Sequence, residues 1–372
     1  MAANRVAVIS SAQTQLRQNW RGAQHVDLIS AVVSDVFKGT GLDLDDVDFV
    51  FDSGSDVLDG RSISNCGFLG AMGAHHKEES RIEEDGLWAA LYGVTKIASG
   101  AADIGLIIAY SKPSESDVNA FYATQCEPFY QRPVGFDHRA ASGIQAQRYM
   151  AGHGVSEKQL AQLVAKRWAD AAGGAKVAAG PVPNEADILA SANIARPLKK
   201  LMMSRPVDGA VAVLLASGDI ARRASRAPVW VTGMGASTDC HSFAARKAGA
   251  LEACEAAAKS SYKRAGWTKP SAAIAETSAS SAVTELMVLE SLGLAKAGRG
   301  IGLLDDAGIA VNRSGGSLPA DPIMATGLVR LSEAARQLAY PAMYGLKAPA
   351  SAIAHGAGGV GMQSHCVFTL EV

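Results

Sequence analysis

Two glycine-rich segments near the C-terminus contain residues whose types suit chemistry. Residues 311–327 read VNRSGGSLPADPIMATG, and residues 354–370 begin AHGAGGVG, which places His355 beside glycines. Glycine-dense turns at strand ends let bare backbone approach a ligand. A neutral imidazole can act as a general acid or base near pH 7. We therefore expect a chemical site to be built here, although a histidine in a turn can also serve packing alone.

An acidic run supplies further candidate acid–base groups. Glu83, Glu84 and Asp85 precede a helix that the apolar spacing predicts over residues 87–98. Carboxylates at a helix N-terminus are favoured by the helix dipole, so the run can simply cap this helix. Alternatively, one of the three carboxylates reaches a pocket and acts as a base.

Asp321 is a second acidic candidate. It precedes a proline and a predicted helix over residues 325–338, which it can cap. If it is buried near His355, it can instead orient that ring and fix its tautomer. Both interpretations are open from the residues alone.

The bulk composition excludes several classes of protein. The 372 residues carry a formal net charge of -1, which gives no electrostatic basis for binding nucleic acid. The apolar runs are too short to span a membrane. Five scattered cysteines without a CxxC pair indicate reduced thiols and no metal site. Because no signal-peptide pattern precedes the first strand-like run, we expect a cytoplasmic protein.

The order of predicted elements indicates an α/β fold. Buried strands such as residues 104–110 alternate with amphipathic helices, and the alternation restarts after a basic linker. The second half includes a long Ala-rich helix predicted over residues 243–265. We interpret the repeat as an internal duplication, with one half at residues 1–220, which includes an inserted region at about 111–205, and the other at 221–372.

Residues 111–140 lack periodicity and carry proline, charged and aromatic residues, which is typical of a lid or substrate-facing loop. The aromatic residues can line a hydrophobic acyl pocket or serve ordinary packing. They are Phe121, Tyr122, Phe129, Tyr130 and Phe136.

Motifs along the whole chain resemble those of the thiolase superfamily. The Asn, the Gly-Gly pair and the helix start of one thiolase motif are similar to Asn312, Gly315-Gly316 and Ala325-Thr326-Gly327. Other matches are Ser99-Gly100 with Asp103 and Leu106, RYMAGHGV at 148–155, Asp208-Gly209-Ala210 and the closing HGAGG…CVFTLE.

The resemblance implies a duplicated thiolase fold, in which two mixed five-stranded sheets sandwich helices in five layers (αβαβα). It also implies a homodimer and an acyl-CoA substrate, so that coenzyme A enters as part of the substrate and no cofactor is permanently bound. The residues expected to contact CoA are Asn312, Ser314, Gly315, Gly316 and Gly358.

The sequence departs from the family at the positions that carry its chemistry. A thiolase needs a thiolate at the start of the helix after the third strand, and a gapless count places Glu83 there. Asp321 takes the place of one motif histidine, Ser278 and its neighbour take the place of a His-Asp pair, and His355 takes the place of the closing cysteine. The catalytic candidates are therefore His355, Asp321, Glu83, Asp85 and Ser278.

Two functions follow from the resemblance and the departures. The first is an enzyme that makes or breaks a carbon–carbon bond beside a CoA thioester, by acyltransfer or retro-aldol chemistry, without a cysteine nucleophile. Thiolase-like proteins of this kind resemble steroid side-chain aldolases that pair with a small zinc-ribbon and OB-fold protein. The alternative is a non-catalytic subunit that binds acyl-CoA or scaffolds such a partner. We favour the enzyme.

Overall fold

The chain folds as alternating strands and helices, and the computed structural model describes residues 4–174, 176–177 and 180–372. The strands are β1 (Val6–Gln13), β2 (Phe49–Ser53), β3 (Glu78–Ile82), β4 (Ile104–Ser111), β5 (Asn193–Ala195), β6 (Leu198–Lys199), β7 (Gly209–Ser217), β8 (Val229–Thr238), β9 (Ile274–Thr277), β10 (Ala310–Val311), β11 (Ser351–Gly358) and β12 (Ser364–Glu371). The α-helices are α1 (His25–Val36), α2 (Asp56–Asp59), α3 (Leu69–Met72), α4 (Gly86–Ala98), α5 (Val118–Thr124), α6 (His138–His153), α7 (Glu157–Ala172), α8 (Glu185–Ala190), α9 (Gly218–Ala224), α10 (Glu252–Ala265), α11 (Ala282–Ser291) and α12 (Thr326–Ala339).

The strand order of the main sheet repeats itself. The first half is ordered β3-β2-β4-β7-β1 and the second β10-β9-β11-β12-β8. In each half the first three strands of this order are parallel, and the remaining two pairings are antiparallel. The sheet thus contains two copies of one five-stranded topology, and the predicted boundary at residue 220 falls in α9, between them.

The two copies are joined edge to edge. Ala7 pairs with Trp230 and Val8 with Val229, so β1 and β8 connect the halves into one ten-stranded sheet. The expected pair of five-stranded sheets is therefore continuous at this seam. The joint is short, because these are the two residue pairs of the described chain that connect β1 with β8.

Helices cover the sheet on several sides. The central apolar cluster combines α4 and α12 with side chains from the strands of both halves. A second cluster packs α1 and α9 against the first half, and a third packs α7, α10 and α11 against the second half. Because α4 and α12 lie between the two halves, their N-termini reach the same edge of the structure. In the described part of the chain, each helix is too short or too polar to span a membrane.

Some predicted elements are wrong. The long helix predicted over residues 243–265 begins only at Glu252, after a short 3-10 turn at Phe243–Ala245. Strand β3 was not predicted, because its sequence EESRI has no apolar alternation and it pairs only with β2, at the sheet edge. Three residues of the predicted inserted region, at 175, 178 and 179, lie outside the described residues.

A buried carboxylate ties β9 to α12 and to the glycine-rich segment. Glu276 is fully buried and accepts hydrogen bonds from Arg330 Nη1 at 2.8 Å, Gln337 Nε2 at 2.7 Å and the Ser314 hydroxyl at 2.6 Å. A charge in an apolar interior is tolerated only when it is paired and hydrogen-bonded. This network therefore fixes the segment after β10 against the central helix.

We expect Arg330→Met to lower the free energy of unfolding by about 3–5 kcal/mol, because it leaves the Glu276 carboxylate buried without its counter-ion. Urea unfolding followed by circular dichroism measures the change. The matched control is Arg222→Met, which removes an exposed ion pair with Asp219 and should change stability by about 0.5 kcal/mol or less. Equal effects of the two substitutions would contradict the proposed importance of the network.

Candidate functional site

A cavity of about 860 Å³ opens at the carboxyl ends of several strands. Its wall includes Ser278, directly after β9, and Gly358, at the end of β11. The N-terminal residues of α4 and α6 also line it, together with much of the predicted inserted region. The crevice beyond the carboxyl ends of strands is where α/β proteins commonly bind ligands.

Asp85 bridges the N-termini of two helices at this cavity. It is the N-cap residue of α4, and one carboxyl oxygen accepts a hydrogen bond from the backbone N–H of Leu87 at 3.0 Å. The other oxygen accepts from the backbone N–H of Gly327, in the first turn of α12, at 2.7 Å. The partial positive charges of both helix N-termini therefore converge on this one side chain.

Two glycines make room for the Asp85 carboxyl. An ideal Cβ at Gly327 would lie 1.8 Å from Asp85 Oδ1, and one at Gly356 would lie 2.3 Å from the same atom. Neither position tolerates any side chain while Asp85 keeps its place. The Ala-Thr-Gly helix start and the glycine after His355 are therefore explained by the packing of this carboxyl group.

Burial raises the pKa of Asp85 to about 8, while the two backbone N–H donors act in the opposite direction and the nearby Glu84 and Asp321 carboxyls add to the rise. A group with a pKa near the working pH exchanges protons most effectively. A carboxyl group with such a pKa can act as a general acid or base.

The acidic run divides into a buried part and an exposed part. The Glu84 carboxylate accepts from the Ser364 hydroxyl at 3.1 Å, and burial raises its pKa. The Glu83 side chain is about half exposed, lies 3.4 Å from Arg81 Nε and accepts from the backbone N–H of Asp56. Asp85 is the N-cap residue of α4, so Glu83 lies two residues before the cap, and all three acidic residues line the cavity.

Asp321 also reaches the cavity, and its hydrogen bonds are local. It accepts from the hydroxyls of Ser204 at 2.7 Å and Thr326 at 2.6 Å, and from the backbone N–H of Ile323 at 3.1 Å. Burial raises the pKa of this carboxyl group. The capping interpretation fits these contacts at the start of α12. The expectation that Asp321 orients His355 is wrong, because its partners are these three residues.

Ser278 lies in the cavity wall with its hydroxyl already engaged. Its Oγ donates to the backbone carbonyl of His355 at 3.0 Å, and its backbone N–H donates to the same carbonyl at 3.1 Å. The side chain therefore holds the end of β9 against β11. A ligand O–H or N–H can still donate to the remaining lone pairs of Oγ.

The structure places His355 away from the cavity. Strand β11 continues to Gly358, so His355 is inside a strand rather than in a turn. Side chains alternate between the faces of a strand. Gly356 therefore faces α4, and His355 lies on the opposite face, fully buried, with its Nε2 2.9 Å from His365 Nδ1. Burial holds the pKa of His355 well below its usual value, so the expected acid–base role at the cavity is corrected.

Most residues expected to contact CoA are framework residues. Asn312 is fully buried, and its Oδ1 accepts from the backbone N–H of Thr277 at 2.7 Å. An ideal Cβ at Gly315 would lie 2.5 Å from Ala171, and one at Gly316 would lie 2.9 Å from the Asn312 amide group.

Ser314 is similarly engaged in the network around Glu276. Of the predicted CoA-contacting set, Gly358 alone is among the residues that line the cavity, within the described ranges of the chain. The Asn and Gly-Gly motif therefore positions β10 and α12, and the cavity is built by other residues.

The inserted region supplies one group, His138, that sequence analysis did not single out. His138, the first residue of α6, stacks on Tyr122 with ring centroids 4.3 Å apart, and both rings line the cavity. Burial lowers the pKa of His138 to about 4, so its ring is neutral at pH 7. Burial raises the pKa of Tyr122, and the Asp321 carboxyl adds to the rise. The sequence could have indicated that His138 begins a helix, because it directly follows Asp137, a residue type that suits a helix N-cap.

The predicted aromatic lid is borne out only in part. Phe121 and Tyr122 line the cavity. Phe129 and Tyr130 are 79% and 81% exposed. Phe136 packs against Phe243, with ring centroids 5.3 Å apart. Of the five aromatic residues, Phe121 and Tyr122 are therefore the ones placed at the cavity.

The cysteines do not replace the missing nucleophile. Among the described residues, no cysteine lines the cavity. Cys366 lies behind the first turn of α4, with its Sγ 3.9 Å from the carbonyl oxygen of Leu87. It is fully buried, and burial raises the pKa of its thiol well above the usual value. A thiol held neutral in this way is a poor nucleophile.

Known sequences similar to this chain come from the acyltransferases of archaea. A family model described as "Thiolase C-terminal domain-like" matches residues 235–371. An acetyl-CoA acetyltransferase of Methanothermobacter thermautotrophicus is 25% identical over 66% of this chain and 67% of its own length. Another, of Methanocaldococcus jannaschii, is 24% identical over 90% of this chain and 89% of its own length.

Solved structures reproduce the fold along the whole chain. The Ltp2-ChsH2(DUF35) aldolase has a TM-score of 0.84 at 19% identity, and the match covers 100% of this chain and 98% of that one. Human mitochondrial 3-ketoacyl-CoA thiolase has a TM-score of 0.75 at 14% identity, covering 100% and 99%. A monomeric SCP2-thiolase-like protein of Mycobacterium smegmatis has a TM-score of 0.74 at 17% identity, covering 98% and 76%. The family model thus places residues 235–371 with the thiolase C-terminal domains, and the solved structures show the thiolase fold along the whole chain.

Proposed function

We propose that this protein makes or breaks a carbon–carbon bond beside a CoA thioester by acid–base chemistry of the aldol type, without a cysteine nucleophile. The observation that carries the proposal is Asp85, a buried carboxyl group with a pKa of about 8 at the N-termini of two helices. It is the N-cap residue of the helix after the third strand, two residues beyond Glu83, the position at which the family resemblance implies a thiolate. A carboxyl group there favours proton transfer over acyl transfer.

The cleavage direction can be written with this single acid–base group. The Asp85 carboxylate removes the hydroxyl proton of a 3-hydroxyacyl thioester. The bond between the second and third carbons breaks, the oxygen-bearing carbon leaves as an aldehyde or ketone, and the electron pair moves to the thioester as an enolate. Protonation of the enolate carbon by Asp85 returns the proton and releases a shortened acyl-CoA.

The electrostatics of the cavity suit an enolate. The N-termini of α4, α6 and α12 all lie at its wall, and each carries partial positive charge from unpaired backbone N–H groups. Fixed dipoles aimed at developing negative charge stabilise it without reorganisation. The neutral rings of Tyr122 and His138 add a phenol and an imidazole at the same wall.

Basic side chains of the inserted region favour an anionic carrier. Arg139, Lys200 and Arg205 line the cavity, and Arg205 lies over the Trp168 ring at 4.4 Å. Guanidinium and ammonium groups are the side chains that bind phosphates. We propose that they hold the phosphates of coenzyme A, which enters as part of the substrate, and that the thioester passes Gly358 to reach Asp85.

A non-catalytic function is the alternative. The Ser278 hydroxyl donates its hydrogen bond to a backbone carbonyl, and no cysteine among the described residues lines the cavity. A chain that only binds acyl-CoA, or that scaffolds a catalytic partner, would need no more than this. The similar Ltp2-ChsH2(DUF35) aldolase consists of two proteins, which favours a proposed small zinc-ribbon and OB-fold partner for this chain as well.

We also propose a homodimer for the chain. Light scattering on the purified protein tests it, because a monomeric mass would contradict the proposal. One similar protein, of Mycobacterium smegmatis, is monomeric, so the measurement discriminates between two assemblies within the superfamily.

We expect Asp85→Asn to lower kcat for retro-aldol cleavage of 3-hydroxyacyl-CoA by about 10²–10⁴-fold, because the amide cannot exchange the proton. In the unsubstituted protein, kcat/KM should rise with pH through about 8, since the ionised form of Asp85 is the base. The assay measures the carbonyl product and the shortened acyl-CoA by chromatography.

The matched control is Asp219→Asn, on the exposed surface of α9, which should leave the rate unchanged. Thiolysis of acetoacetyl-CoA by free CoA at a rate that Asp85→Asn does not alter would contradict the mechanism. Unaltered CoA binding with no turnover of either substrate would instead favour the non-catalytic alternative.

We expect Gly358→Leu to weaken CoA binding at least about tenfold, or about 1.4 kcal/mol. An ideal Cβ at this position would lie 2.5 Å from Glu84 Oε2, so a leucine must displace the Glu84 carboxylate, which also lines the cavity. Isothermal titration calorimetry with free CoA measures the affinity. The control is Gly302→Ala, where no atom lies within 4 Å of an added Cβ. Equal affinities of the two variants would place CoA elsewhere.

A further inference from the structure

Three metal-ligating side chains meet under the cavity, on the face of the sheet opposite Asp85. Cys254 lies on α10, His355 on β11 and His365 on β12, and one ligand atom from each lies within 4.8 Å of the others. All three side chains are fully buried. Strand alternation puts both histidines on the face that α10 covers, so three separate elements contribute to the cluster.

The hydrogen bonds of the cluster leave one nitrogen without a partner. His365 Nε2 lies 3.0 Å from the carbonyl oxygen of Met362 and therefore donates to it, which makes His365 Nδ1 an acceptor. His355 Nε2 then donates to His365 Nδ1 across 2.9 Å. His355 Nδ1 is buried and has no hydrogen-bond partner among the described residues. An orphaned buried nitrogen of this kind requires an explanation.

An ion between the two rings would bind the lone pairs of His355 Nε2 and His365 Nδ1, and the proton of His355 Nε2 would move to Nδ1, the nitrogen that has no partner. The carbonyl of Met362 fixes the tautomer of His365 in the way that outer partners orient histidine ligands. In a zinc or copper site, two imidazole nitrogens about 2.0–2.1 Å from the ion lie about 3.3–3.5 Å apart. The two facing nitrogens, now 2.9 Å apart, need to separate by only about half an ångström to admit an ion.

We propose that Cys254, His355 and His365 bind one thiophilic d¹⁰ cation, Cu⁺ or Zn²⁺. Thiolate and imidazole are the ligands that these ions prefer. Binding replaces the thiol proton of Cys254, which is released to solvent, with a metal–sulfur bond, and no electron is transferred. A thiolate with two neutral imidazoles gives a neutral site with Cu⁺ and a site of charge +1 with Zn²⁺. The apolar surroundings, which include Ile353 and Val367, therefore favour Cu⁺.

The ion would stabilise one wall of the cavity without lying in the cavity itself. Met362, which holds His365 through its carbonyl, also lines the cavity, and the turn between β11 and β12 carries Gly358. A bond from α10 to both strands of this hairpin would fix the turn without any contact between the ion and the substrate. The proposal is independent of the aldol chemistry, because Asp85 lies on the other face of β11.

The test is metal analysis of the full-length protein. The chain is expressed in medium supplemented with either copper or zinc, or is unfolded in urea and refolded with Cu⁺ under reducing conditions or with Zn²⁺. Elemental mass spectrometry should find about one ion per chain, and the melting temperature should rise relative to protein refolded with a chelator. Cys254→Ser should reduce the content at least about tenfold, since it removes the thiolate.

The matched control is Cys366→Ser, a buried cysteine in the strand that carries His365 but outside the cluster, which should keep the ion. His365→Gln provides a second ligand variant in case Cys254→Ser does not fold. Less than about 0.1 ion per chain with both metals, or equal content in Cys254→Ser and the unsubstituted protein, would overturn the site. Zinc without copper would keep the site and overturn the charge argument. Loss of the ion with unchanged aldol activity would leave the proposed function standing.

Discussion

The structure depends on one contact, in which the carboxyl group of Asp85 accepts backbone hydrogen bonds from the first turns of α4 and α12. One side chain thereby caps two helices that belong to different halves of the duplicated sheet. Because these helices form the central layer, the contact fixes the relative position of the halves at the cavity. The glycines at positions 327 and 356 are consequences of it, since any side chain there would overlap with the carboxyl group.

The contact with Asp85 also gives the two faces of β11 different roles. Successive residues of β11 face opposite directions, so Gly356 packs against the catalytic candidate while His355 points into the core beside His365. A shift of the strand by one residue would exchange these faces. The glycine-rich ending of the chain therefore serves two purposes: close approach on one face and a buried polar cluster on the other.

The sequence predicted more of the fold than of the candidate site. Alternating apolar strands and helices predicted the α/β class and the duplication, because burial on both faces leaves continuous apolar runs. It located the acidic run at a helix start but not which residue caps the helix, since counting from a motif cannot detect where the helix begins. It placed His355 in a turn because glycine follows it, whereas pairing with β12 extends the strand to Gly358.

The cavity could not be predicted, because the groups that line it come from segments that are distant in sequence. His138 and Tyr122 lie in a region without periodicity, and only folding brings them to the ends of β9 and β11. Asn312 and the Gly-Gly pair lie outside the cavity wall, where this motif holds Thr277 and α7. Contact between these residues and CoA stays a prediction.

A cysteine and an aspartate at a helix N-terminus need opposite shifts of their pKa to become reactive at neutral pH. A thiol of pKa about 8.5 becomes reactive when helix dipoles lower that value. A carboxyl group begins near 3.8 and must be raised to exchange protons at neutral pH. Here the helix N-termini lower the pKa of Asp85 and burial raises it. Because burial has the larger effect, this pKa reaches about 8. The tight fit of Gly327 and Gly356 excludes the water that would otherwise solvate the charge. The packing that looks structural is therefore what makes this carboxyl group chemically useful.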